Sequence, residues 1–96
     1  MIELDRVIHE PARLLIVALL SRLEEADFLY LLRETGLTKG NLFTHLAKLE
    51  SSGYVSVKKG FRGKKTFTIV RLTTQGRKNF RQYRKSMGAL LTVPDD

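Results

Sequence analysis

The sequence predicts a single domain of the α+β class, mainly α-helical with one small β-hairpin. Its 96 residues are enough for one hydrophobic core and leave no room for a second. Apolar residues recur at helical spacing up to Gly53 and again after Leu72, whereas the segment between is rich in β-branched and aromatic residues. The absence of cysteine excludes disulfides, thiolate metal sites and cysteine catalysis.

The first two predicted helices form the amino-terminal half of the domain. Pro11 fits the first position of a helix over about 11–23, because its missing N–H costs nothing there. This helix is apolar nearly all round, so we expect it to be the buried centre of the domain. Asp27 can cap a second helix over about 28–34. Gly36 then supplies the positive φ that a helix exit commonly needs.

A third helix, predicted over about 38–52 with Thr38 as its cap, completes a helix-turn-helix pattern. Leu42, Leu46 and Leu49 recur at i, i+4 and i+7 and so form one buried stripe. Two short helices joined by a glycine-containing turn are typical of this unit, whose second helix enters the major groove of DNA.

The opposite face of the third helix has the character of a DNA-reading surface. No carboxylate occurs between Thr35 and Leu49, and an acid there would repel phosphates. The alternative is an ordinary solvated helix face. If the helix reads DNA, its small, polar or cationic side chains are the candidates: Asn41, Thr44 and Lys48 on this face, His45 at its edge and Lys39 in the first turn.

A β-hairpin follows, with strands predicted over 54–58 and 66–72 and a basic turn over 59–65. The turn contains Gly60 and Gly63 and four cations, of which Arg62, Lys64 and Lys65 are the predicted phosphate contacts. A plain surface hairpin with solubilising lysines is the alternative. Placed directly after a helix-turn-helix, the hairpin predicts a winged helix-turn-helix domain.

The charge distribution also favours a nucleic-acid partner. Lys and Arg number 17 against 10 acidic residues, giving a net charge of +7. Residues 1–34 contain four bases and seven acids, a net of −3, whereas residues 35–96 contain thirteen bases and three acids, a net of +10. A concentrated positive field attracts a polyanion. A basic surface kept for solubility is the competing explanation.

The last predicted helix, over 74–91 with Thr73 or Thr74 as its cap, is expected to mediate dimerisation. An apolar stripe at roughly heptad spacing runs along it: Phe80, Tyr83, Met87, Leu90 and Leu91. A protomer this small has little core left to cover the stripe, so we expect it to contact a second copy. The alternative is that the stripe packs back on the helices of its own protomer. The domain is predicted over 1–91 and a flexible tail over 92–96.

The order of these segments resembles the small winged-helix transcriptional regulators of the ArsR/MarR-like class. The resemblance is carried by five segments: Arg13–Leu20, Asp27–Leu32, Gly36–Glu50, Gly53–Val55 and Leu72–Arg77. It implies a homodimer that binds a pseudo-palindromic operator with its recognition helices in adjacent major grooves. By position, it implies the same groove and wing residues as those proposed above. The cysteine or histidine clusters of the metal-sensing branch are missing, and no residue identifies an effector ligand.

Other functional classes have little support in the sequence. His9 and His45 lie 36 positions apart without partner ligands, so we expect no metal and no cofactor. No pocket is predicted, so we expect no enzyme. The longest apolar run, residues 14–20, is far short of the ~20 residues that span a bilayer, and no leader is recognisable, so a cytoplasmic, nucleoid-associated location is expected. The alternatives to sequence-specific binding are an architectural DNA coat and a protein-interaction module.

Overall fold

Four helices and three strands make up the computed structural model, which describes residues 4–93. The helices are α1 (Pro11–Leu20), α2 (Phe28–Thr35), α3 (Lys39–Ser51) and α4 (Thr74–Leu91). The strands are β1 (Ala26–Asp27), β2 (Val55–Arg62) and β3 (Lys65–Leu72), which form one antiparallel sheet in the order β1-β3-β2. The predicted fold class, a mainly helical domain with a hairpin wing and a long final helix, is confirmed. Residues 1–3 of the predicted domain and 94–96 of the predicted tail lie outside the described residues.

Capping side chains fix where the helices begin. Asp27, Thr38 and Thr73 each accept a hydrogen bond from the backbone N–H three residues later, at 2.7, 3.2 and 2.8 Å. The predicted caps are therefore confirmed, as is the left-handed conformation of Gly36 (φ 69°) after α2. The cap of α1 was not predicted: the carboxylate of Glu10 accepts two backbone N–H bonds, at 3.1 and 2.8 Å.

The end of α1 differs from the prediction, because the helix stops at Leu20 and not near residue 23. The guanidinium of Arg77, in α4, donates to the backbone carbonyls of Ser21 (3.3 Å) and Leu23 (2.8 Å). The turn that follows α1 is thus held by a side chain more than fifty residues away. The local sequence holds no sign of this contact.

The burial of α1 is also less complete than predicted. Ile16, Val17 and Leu20 are buried, whereas Leu15 is 40% exposed and Leu14 only partly covered. The prediction that this helix is the buried centre of the domain is therefore wrong for the side that carries Leu14 and Leu15. The reason is that the sheet and α2–α3 cover one side only, while α4 lies beside the other without closing over it.

The wing hairpin is longer, and its turn shorter, than the sequence predicted. The β2–β3 ladder continues to the pair Arg62↔Lys65, so the turn is Gly63–Lys64 and not the whole of 59–65. Gly63 permits this tight turn because its φ is 63°. Gly60 lies within β2 opposite Phe67, whose ring covers it: a Cβ on Gly60 would be 2.6 Å from the ring's Cζ.

The short strand β1 was not predicted. Ala26 pairs with Val70, and Asp27 pairs with Ile69, along the outer edge of β3. Two residues are too few to show an alternating pattern in the sequence. This strand ties the helix-turn-helix to the wing, because Asp27 both ends the strand and caps α2.

The start of α4 is packed against the start of β2. Gly76 is buried, and a Cβ there would lie 2.2 Å from the carbonyl oxygen of Tyr54. Tyr54 is itself buried, and its hydroxyl donates to the carboxylate of Asp5. Burial and this hydrogen bond both raise the pKa of Tyr54 above its ordinary value. The amino-terminal segment, the wing and α4 therefore share one core.

Candidate nucleic-acid interface

The recognition helix α3 turns its leucine stripe into the core and its polar side chains outward. All three leucines of the predicted stripe are buried. Lys39, Asn41, Thr44 and Lys48 are exposed. The hydroxyl of Thr44 donates to the carbonyl of Gly40 (2.9 Å), which leaves its oxygen lone pairs available as acceptors. Four of the five predicted reading residues thus lie on an accessible surface.

The centre of this outward face is made of small residues that the sequence analysis did not select. Successive residues turn 100° around the helix, so Gly40 and Ala47 lie beside Thr44, directly opposite the buried stripe. Both are exposed. Small side chains at the centre allow the helix backbone to approach base edges, while the longer Asn41 and Lys48 stand at the flank.

Phe43 is a second feature of α3 that was missed. Its side chain is 48% exposed on the flank away from Lys48. It stacks on Phe28 at a centroid distance of 4.4 Å and an interplanar angle of 26°, which holds the ring in place. The helical period places Phe43 outside the leucine stripe, so the spacing of the leucines could have indicated its exposure.

His45 is less accessible than the other predicted reading residues. It is half-buried, with Nδ1 3.6 Å from the Glu10 carboxylate and 3.3 Å from Nη1 of Arg13. Partial burial tends to raise the pKa of Glu10, but two backbone N–H bonds and the charges of His45 and Arg13 together lower it. His45 therefore joins the recognition helix to the start of α1, and its contact with DNA stays a prediction.

The hairpin presents two different sides, because side chains alternate along a strand. Val55 is buried and Val57 half-buried, so their side faces the core, and Lys59 and Phe61 continue it beyond the core. Nζ of Lys59 lies 5.8 Å from the centre of the Phe43 ring. The exposed face of α3 and this side of the wing are therefore one continuous surface.

The three predicted phosphate contacts of the wing are gathered at its end. Arg62 and Lys65 form the last pair of the ladder, and Lys64 lies in the turn. All three are exposed. The guanidinium of Arg62 lies over the ring of Phe67, with Cζ 5.1 Å from its centroid, which holds one of the cations in a fixed direction.

The charged side chains of the wing and of α4 have one sign. No Asp or Glu occurs between residues 51 and 94, so the described part of the wing and of α4 carries only cationic charged groups. The wing strands and their turn contribute six of them: Lys58, Lys59, Arg62, Lys64, Lys65 and Arg71. Of these, Arg71 is paired with Glu25. The others give the hairpin a positive potential suited to a polyanion.

The predicted dimerisation stripe on α4 is divided by the fold. Phe80 and Tyr83 are buried in their own protomer, at 8% and 6% exposure, and Nδ1 of His9 lies 2.8 Å from the Tyr83 hydroxyl. These two residues therefore pack within their own protomer and not against a second copy, because α1 lies alongside the first half of α4. Leu90 and Leu91 are 52% and 67% exposed, so they and the half-buried Met87 remain predicted partner contacts.

Two further features are absent from residues 4–93. No group of three or more His, Asp or Glu side chains in this range is arranged to hold a metal ion. None of the four helices described here combines the length and the apolar character that crossing a membrane requires.

This combination of helix-turn-helix, basic hairpin and long final helix has counterparts among known proteins. A family model described as a winged helix DNA-binding domain matches residues 12–91. The chain belongs to this family. An uncharacterized protein of Methanocaldococcus jannaschii is 40% identical over 78 residues, which are 81% of this chain and 85% of that protein.

Solved structures agree with the family assignment. The winged-helix domain superimposes on a transcriptional regulator homologue of Pyrococcus horikoshii OT3 with a TM-score of 0.85 and 28% identity, covering 91% of this chain and 86% of the other. A MarR-family protein of Porphyromonas gingivalis W83 shares the fold at a TM-score of 0.71 and 16% identity, covering 92% and 86%. The resemblance to small winged-helix regulators is thus confirmed.

Proposed function

We propose that this winged-helix domain is a homodimeric transcriptional regulator that binds double-stranded DNA sequence-specifically and resides on the nucleoid. The observation that carries the proposal is the continuity of two surfaces. The exposed face of α3, which has no carboxylate before Glu50, meets the basic wing where Lys59 lies 5.8 Å from the Phe43 ring. A helix and a hairpin joined in this way can occupy a major groove and the neighbouring backbone together.

The two elements have different roles in this proposal. Asn41, Thr44 and Lys48 contact base edges from α3, and Lys39 lies in its first turn. Arg62, Lys64 and Lys65 neutralise phosphates from the wing. Phosphate contacts supply most of the affinity and fix the register, whereas base contacts supply the discrimination between sequences.

The dimer is proposed from the second half of α4. This helix of 18 residues is about 27 Å long, and its last turn exposes Leu90 and Leu91. Beside it, α1 and α4 border an open groove of about 510 Å³ lined in part by Leu14 and Met87. Pairing of two copies along this side would bury apolar surface and give two recognition helices, about 34 Å apart when bound to successive major grooves.

Regulation of transcription is proposed from the relatives. The Pyrococcus horikoshii protein is named as a transcriptional regulator homologue, and it matches nearly the whole length of this chain. The proposed role follows from that similarity together with the DNA-binding family to which the domain belongs.

Selection of bound duplexes from a random pool at physiological salt tests the proposal directly. We expect an enriched motif with two-fold symmetry and half-sites about 10 base pairs apart. Retained DNA without an enriched motif would indicate an architectural coat. An affinity that stays constant between roughly 50 and 200 mM salt would indicate a protein-interaction module, since counterion release predicts a steep fall.

A further inference from the structure

Phe61 is a large aromatic side chain left 75% exposed near the end of the wing. It lies in β2, two residues before the turn, and its partner across the ladder is Thr66. The β2–β3 ladder continues before and after Phe61, so the backbone on both sides of this residue is fixed. The ring is therefore presented by a rigid strand, and not by a loose loop.

The other aromatic ring of the wing is in a different situation. Phe67 lies on the opposite side of the hairpin, where it covers Gly60 and lies beneath the guanidinium of Arg62. It is only half-exposed and so has a packing role within the hairpin. Phe61, with the same chemistry, contributes far less to the packing of the domain.

Phe61 lies on the side of the wing that continues into the recognition helix. Together with Phe43, Lys59, Thr66 and Thr68, it lines an open trough of about 360 Å³ between the wing and α3. The trough combines aromatic surface, hydroxyl groups and a cation. It adjoins a second one of about 390 Å³, which Phe43 and Lys39 also line.

The surroundings of Phe61 indicate what kind of partner contacts it. Lys59 lies on the same side two residues earlier and Lys64 lies in the turn, while Arg62 follows directly but projects to the other side, over Phe67. A flat apolar ring set among cations is complementary to a nucleobase flanked by phosphates. An apolar protein surface would leave these cations without partners, and a lone phosphate would leave the ring exposed.

We propose that Phe61 is a wedge that stacks on a base at a partly unstacked step of duplex DNA, where the wing contacts the duplex. The inference rests on the proposed DNA-binding function and adds an indirect component to its specificity. Base steps differ in the cost of unstacking, so a wedge favours flexible steps, such as TA and CA, at positions without a polar base contact. It also bends the duplex around the domain.

Placing a mismatched pair in the duplex tests the wedge, because a mismatch lowers the cost of unstacking in advance. The mismatch is moved one step at a time through a duplex that the full-length chain binds, and Kd is measured for each. We expect binding about fivefold tighter, or more, when the mismatch falls under the wing, and no gain elsewhere. In F61A this positional gain should disappear, so that mismatched and paired duplexes bind alike.

Lys64→Ala is the matched control in the same turn. It should weaken binding to every duplex while keeping the positional gain. If the tighter binding to a mismatch under the wing persists in F61A, or is absent from the unmodified protein, the wedge is wrong. The proposed DNA-binding function would not be affected by either result. Failure of the unmodified protein to bind any duplex would instead overturn the proposed function. Tighter binding to either single strand than to all duplexes would also overturn the duplex wedge, since it would assign the ring to unpaired DNA.

Fluorescence gives a second readout that does not depend on affinity. The chain contains no tryptophan, so Phe61→Trp introduces a single indole and retains a stacking ring. We expect its emission to be quenched at saturating duplex, as stacking on a base requires. Val93→Trp, at an exposed position beyond α4, should keep its emission. Unchanged emission from F61W at saturation would contradict the proposal.

Discussion

Two glycines of α4 share a helical backbone but have opposite surroundings. A Cβ on Gly76 would lie 2.2 Å from the carbonyl oxygen of Tyr54 and 2.9 Å from its carbonyl carbon. These are backbone atoms, which cannot move aside as a side chain can. We expect Gly76→Ala to lower the free energy of unfolding by at least about 2 kcal/mol, measured by urea denaturation.

Gly88 is the matched control for this substitution. Nothing lies within 4 Å of a Cβ placed there, and alanine favours a helix interior over glycine by about 0.5–1 kcal/mol. Gly88→Ala should therefore raise the free energy of unfolding. Equal effects of the two alanine substitutions would show that the contact between α4 and Tyr54 is not as tight as described.

Glu10 makes part of the stability depend on pH. Its pKa is lowered in the folded state, so the carboxylate contributes stability that is complete above the pKa of the unfolded chain and lost as pH falls through the folded pKa. The Glu10→Gln variant lacks this titration. The difference in free energy of unfolding between the two proteins should be larger at pH 6 than at pH 3.

Urea denaturation at both pH values measures this difference. Glu34→Gln, at an exposed position in the last turn of α2, serves as a control for the loss of one carboxylate. A gap between Glu10→Gln and the unmodified protein that stays the same from pH 6 to pH 3 would contradict the role assigned to Glu10.

The recognition helix and the wing are proposed to contribute differently to DNA binding, and alanine variants of each element can separate the two contributions. Asn41→Ala or Lys48→Ala, on α3, should relax base preference by about 1–3 kcal/mol at one position of the selected motif. Lys64→Ala, in the wing turn, should weaken binding on all sequences and reduce the slope of log K against log salt by about one. Titrations of cognate and random duplex at several salt concentrations measure both effects.

Lys78→Ala provides a charge-matched control, because Lys78 is exposed on α4 outside the proposed interface. It should leave base preference unchanged and affect the salt slope less than Lys64→Ala does. If the α3 and wing variants lose the same factor on cognate and random duplexes, the proposed division between the two elements is wrong.

At the scale of the whole molecule, the second half of α4 should decide the oligomeric state. Leu90 and Leu91 are exposed in the protomer, so replacing both by glutamate should not disturb its core. We expect the double variant to sediment as a monomer while its circular dichroism is unchanged. Its affinity for a symmetric site should fall, since only one recognition helix then binds at a time.

Val93→Glu is the control for the added charge, because Val93 is exposed just beyond the end of α4. It should remain a dimer. A double variant that sediments as the unmodified protein does would place the dimer contact elsewhere, with the groove between α1 and α4 as the next surface to test.

Periodicity and capping chemistry were enough to predict most of the local structure. The caps at Asp27, Thr38 and Thr73, the glycine after α2 and the inward stripe of α3 all depend on residues within one or two turns of each other. The same holds for the exposure of Asn41, Thr44 and Lys48, since one buried stripe fixes the opposite face of a helix.

What depends on distant residues could be learned only from the tertiary structure. Arg77, far along the chain, holds the turn after α1, β1 exists only as a partner of β3, and Phe80 is covered by its own protomer. The contact of Phe43 with Phe28, and the trough it shares with Phe61, likewise join separate elements. A local sequence pattern indicates which face of a helix or strand is apolar. Which other element covers that face depends on how the whole chain packs.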